Sequence, residues 1–150
     1  MNFPHLHLVL THFPPALSVV SAFSAAAGTL LPRRRDLVRL ALVLLIVIGA
    51  MMPLVYVAGD RAAGAIGRVE GVQQDAIAPH QHAATIALSI SMCTALAAAG
   101  LLIIERRSGG FTSTLRVLAL AAALASAIPI GWAAALGGAI HHPEINSRSR

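Results

Sequence analysis

The chain has 150 residues, of which 57% are hydrophobic and only 11% charged. A water-soluble globule of that composition lacks the polar surface to cover itself, so a membrane protein is expected, folded as a single domain over residues 1–150. All eleven basic residues are arginine, against six acidic ones, for a net charge of +5. They stand in short runs between apolar stretches, which is the pattern of membrane topology signals and argues against a nucleic-acid partner. The single cysteine, Cys93, excludes an internal disulfide, a Cys-x-x-Cys metal clamp and covalent c-type haem attachment.

Four apolar stretches reach the roughly 20 residues needed to cross a bilayer. They are Leu6–Leu31, Leu37–Ala58, Ala83–Ile104 and Leu115–Ile140. Lipid offers no hydrogen-bond partners to the backbone, so each must be helical, and the predicted fold is an all-α four-helix transmembrane bundle. In the first stretch, Pro14 and Pro15 allow the helix to bend or to begin after His12. Residues Met1–Leu10 carry no basic charge, unlike a cleaved secretory signal, so this first helix is expected to be retained. The connection Pro32–Asp36 follows, with Arg33, Arg34, Arg35 and Arg39 around it. Pro53 is expected to kink the second span. The long segment Gly59–His82 mixes Gly, Ala and charges, and its part Gly59–Ala78 reads as a short amphipathic helix over the membrane face. Pro79 suits the first helical position of span three. Glu105–Thr114 then brings Arg106 and Arg107, with Arg116 just beyond, and Pro129 is expected to kink span four.

Seven of the eleven arginines flank the first and third connections. The positive-inside rule makes those two turns cytoplasmic and puts both termini and the Gly59–His82 segment on the outer side. Small residues are dense in spans three and four (Ala95, Ala99, Gly100; Ala119, Ala123, Ala127; Gly131, Ala135, Gly138), and spacing of this kind lets helices approach closely in lipid.

No Asp, Glu, Lys or Arg lies in the middle of a span, which disfavours a pump or an ion channel. Histidine is what remains for chemistry: His5, His7 and His12 open span one, His80 and His82 open span three, and His141 and His142 close span four. Threading the helices through the membrane puts all three clusters at one depth on the outer side. His80 and His82 are about 200° apart around a helix, so only one of them faces the interior. His7 and His12, about 140° apart on an ideal helix, line one site only if the helix breaks between or beside them. Taken singly, an imidazole at a membrane interface needs no ligand to explain it; taken together, segments from three parts of the chain are what a metal or haem site requires.

The stretch His7-Leu-Val-Leu-Thr-His12-Phe13-Pro14 resembles the opening of a family of small bacterial four-helix membrane proteins classed as a domain of unknown function. Further similarity lies in Tyr56-Val-Ala-Gly59, Glu70-Gly-Val, Ile77-Ala-Pro-His80-Gln81-His-Ala-Ala and the ending Gly137-Gly138-Ala-Ile140-His-His142-Pro143-Glu144-Ile145, in order along nearly the whole chain. The family often has His-Glu where this chain has His80-Gln81. Its recurring polar positions fall on His7, His12, His80, His142 and Glu144. The resemblance implies a layout similar to small b-type cytochromes, an association with respiratory electron transfer, and a place in the bacterial inner membrane with periplasmic N- and C-termini.

Three functions follow as expectations. The first is a haem b held by two histidines of different helices, drawn from His7, His12, His80 and His142, with His12 paired to His80 or His142. Bis-histidine iron has no open position, which points to one-electron transfer between a quinol in the membrane and a periplasmic cytochrome, as a subunit and not as an enzyme alone. The second is a transition-metal ion on His7, His12, His80, His142 and Glu144. The third is a cofactor-free accessory subunit of a larger membrane complex.

Overall fold

A computed structural model describes residues 3–66 and 74–141, and the regular elements in them are all helices. These are α1 (Phe3–Leu10), α2 (Phe13–Leu30), α3 (Arg35–Ile66), α4 (Gln74–Ser108) and α5 (Ser113–His141). Four helical stretches are long and apolar enough to cross a membrane, which makes this a multi-pass membrane protein with an all-α four-helix bundle. Helices α2, α3, α4 and α5 form a ring in which each packs on the next and α5 returns to α2, while α1 lies on α3. The tight turns between α2 and α3 and between α4 and α5 leave those pairs little choice but to be antiparallel neighbours.

The first span breaks where its prolines allow. Thr11 and His12 form a turn, and Pro14 sits in the first turn of α2, where an amide proton would have had no acceptor. The segment after span two differs from the expectation. Among the described residues of Gly59–Ala78 there is no separate amphipathic helix; α3 continues to Ile66 and α4 begins at Gln74, ahead of Pro79, which therefore lies inside the helix. Prolonging an existing helix through alanine-rich sequence adds one hydrogen bond per residue, whereas a new short helix must bear a nucleation cost. At 32 and 35 residues, α3 and α4 run about 48 and 52 Å, well beyond a hydrocarbon core of about 30 Å.

Many large side chains face outward, and many of the buried positions are alanine. Phe23, Leu30, Leu54, Leu96 and Ile128 are exposed, whereas Ala25, Ala41, Ala98, Ala119 and Ala123 are fully buried. Lipid tails solvate leucine as well as a protein core does, so close approach of backbones decides what goes inside. The expected small-residue stripes are only partly used: Ala119 and Ala123 pack, but Gly100, Gly131 and Gly138 face open space. The glycines in helix contacts are instead Gly28, where a Cβ would come 2.6 Å from Val38 Cγ2, and Gly49, where it would strike Ala95 Cβ. Buried hydroxyls tie helices together: Ser21 donates to the Ala41 carbonyl at 3.0 Å, and Ser91 meets Ser126 at 3.5 Å.

At the end that holds the two arginine-rich turns, Val38, Leu42, Leu45, Leu101, Phe111 and Leu115 close the core. Two arginines that read in the sequence as topology signals also have structural partners here. Arg39 reaches the buried Glu105 carboxylate at 2.6 Å. Arg116, itself buried, donates to the carbonyls of Gly28 and Pro32, both at 2.7 Å, and so satisfies the C-terminal end of α2.

Candidate functional site

The opposite end of the bundle has the smaller buried cluster. Ile48, Met52, Ala83, Ala87, Ile130 and Ala133 form its buried cluster, and above them opens a cavity of about 550 Å³. Its wall takes His7 from α1, His12 from the α1–α2 turn, Tyr56, Gly59 and Asp60 from α3, His80, Gln81 and Ala84 from α4, and Gly137 from α5. Alanine and glycine make up a good part of this wall, with Gly59, Ala62, Ala63, Ala84, Ala133 and Gly137 among its residues.

His7 and His80 are held in the same manner. His7 Nδ1–H donates to the carbonyl of Val55 at 3.2 Å, and the ring lies on Gly59, where a Cβ would come 2.6 Å from Cε1 and 3.3 Å from Nε2. His80 Nδ1–H donates to the carbonyl of Ala133 at 3.0 Å, and its ring lies on Gly137, where a Cβ would come 3.0 Å from Cε1 and 3.7 Å from Nε2. Both are half-buried. A carbonyl can only accept, so each Nδ1 carries a proton, and it is the neutral form of each ring that would hold a lone pair on Nε2. Neither Nε2 has a partner among the described residues.

His12 also lines the cavity, but it is exposed, and its Nδ1–H donates at 2.7 Å to the Leu8 carbonyl in the preceding turn. The Thr11 hydroxyl donates to the same carbonyl at 3.0 Å. The two side chains together end α1 by satisfying a carbonyl that has lost its helical donor. Of the pair two apart in sequence, His80 faces the cavity and His82 is exposed away from it, as their angular separation requires. His142 and Glu144 lie outside the described residues, as do Arg68 and the side chain of His141.

Sequence reasoning missed the seats of the two imidazoles. Gly59 and Gly137 stood in motifs that carry the family resemblance, but nothing in their neighbours said that a histidine from a distant segment would lie on them. Asp60 and Thr11 are further polar residues of the wall that the sequence did not mark as part of a site, and Gln81, the departure from the family's His-Glu, joins them there. Tyr56 adds its hydroxyl, 3.2 Å from Thr85 Oγ1.

Chemically, the arrangement places two imidazoles in the wall of a largely apolar chamber. Among the described residues no three His, Cys, Asp or Glu side chains converge to hold one metal ion. Comparison with protein-family models, with curated proteins and with solved structures finds no match to this chain.

Proposed function

We propose that this protein is a membrane electron-transfer subunit that holds haem b between its helices at the histidine end. The observation that supports it is the cavity wall of His7 and His80, each with Nδ1–H committed to a backbone carbonyl and, among the described residues, no partner on Nε2. Histidines that bind metal characteristically give their second nitrogen to such an acceptor, which fixes the tautomer and raises ligand basicity. A volume near 550 Å³ falls within the ~300–1,000 Å³ of most small-molecule sites, and a predominantly apolar lining with a few placed polar groups suits a flat macrocycle. Missing Cβ atoms at Gly59 and Gly137 leave room for the two rings, whose Cε1 and Nδ1 atoms lie nearest to them.

Bound haem would supply one-electron redox chemistry at a potential set by its ligands and surroundings. The protein's own residues do the rest. His7 and His80 present lone pairs, Met52, Ala84, Ala87 and Ile130 keep the chamber apolar, and Tyr56 and Asp60 supply polar contacts on α3. In this reading the membrane is the bacterial inner membrane, the histidine end with both termini faces the periplasm, and electrons pass from a quinol to a periplasmic carrier.

An absorption spectrum of the purified chain tests this. Oxidised and then dithionite-reduced protein is expected to show a Soret band and a sharp α band. A colourless preparation that takes up no added hemin but carries stoichiometric metal would replace haem with an ion. One that keeps its fold and binds neither would leave an accessory subunit.

A further inference from the structure

The two imidazole seats share one construction. In an α-helix each carbonyl points along the axis toward the residue four positions on, so a ring reaching that carbonyl from the side lies against that residue. For His7 the carbonyl is Val55 and the residue four on is Gly59; for His80 the carbonyl is Ala133 and the residue four on is Gly137. A Cβ at either position would fall on the ring. The same spacing on two different helices makes accidental packing a poor account, particularly since a free imidazole needs no glycine beneath it. Each seat also lies beyond the internal proline of its helix, Pro53 or Pro129, on the cavity side. His12 has no such seat, and its bond to Leu8 is already explained by the ending of α1.

We infer that His7 and His80 are the ligand pair of the site and that Gly59 and Gly137 are positioning residues that aim them, a conclusion that rests on the haem reading above. It departs from the pairing of His12 with His80 or His142 that the sequence favours. The carbonyl fixes the rotation of each ring and the proton on Nδ1, and the glycine lets the ring lie flat enough for Nε2 to project past the helix into the chamber.

The test uses full-length protein in detergent, titrated with hemin, with the ferric low-spin EPR signal and the reduced α band as readouts and circular dichroism and gel filtration as controls of fold. His7→Ala and His80→Ala are each expected to abolish the bis-imidazole low-spin signal, and added free imidazole to restore it. His12→Ala is expected to keep it. Gly59→Ala leaves every lone pair in place but displaces the His7 ring, so hemin retention should weaken by about 10–100-fold, the usual effect of disturbing a ligand's support. Gly137→Ala, with the looser contact, should weaken it less. A wild-type protein that takes up no hemin would overturn the haem reading and this inference with it. Wild-type protein that binds hemin, with the low-spin signal lost in His12→Ala and kept in His7→Ala and His80→Ala, would overturn the ligand assignment alone.

Discussion

The two ends of this bundle solve opposite problems with the same four helices. At the arginine end, leucine, valine and phenylalanine fill the space between helices, and the buried polar groups, Glu105 and Arg116, find partners within the protein. At the histidine end a chamber remains, and among the described residues the imidazoles of His7 and His80 have a partner on one nitrogen only. An end that completes its own interactions is made for stability. Under the proposed function, the end that leaves space gives up packing in return for a ligand.

Substitutions at the two ends should therefore separate stability from binding. Arg116→Met removes two charge-assisted bonds and leaves the Gly28 and Pro32 carbonyls unpaired; unfolding in mixed micelles should show a loss of about 3 kcal/mol, with hemin uptake by the folded fraction unchanged. Leu45→Ala hollows the fully buried core at that end and should cost about 2 kcal/mol, the lower part of the range for such truncations, because lipid solvates the leucine of a separated helix almost as well. Gly49→Ala drives a methyl into Ala95 between α3 and α4, and thermal unfolding should register about 1–2 kcal/mol of overpacking. At the other end Ala84→Leu projects into the chamber; it should change stability by less than about 0.5 kcal/mol, since the added methylenes meet empty space, yet it should prevent hemin uptake. A large stability loss in Ala84→Leu, or normal hemin uptake by it, would break the contrast between the ends.

Much of the fold was legible in the chain. The four spans, the break near Pro14, and the gathering of histidines at one end follow from apolar run length and from the side of the membrane each connection must occupy. The site was legible in residue type and less so in arrangement. His7 and His80 were marked as candidates, but so was His12, whose role in ending α1 depends on where the helix stops. Gly59 carried a signal only through the family motif, and Arg39 and Arg116 concealed structural bonds beneath an obvious topological one.

Composition and periodicity made this a membrane bundle with its imidazoles at one end, because a backbone in lipid must close its hydrogen bonds within each helix, and that demand is local. Which imidazole reaches a carbonyl, and which glycine lies beneath it, depended on how far each helix is rotated against the next. His7 meets Val55 across 48 positions and His80 meets Ala133 across 53, and the rotation that joins them is set by the packing of all the helices at once.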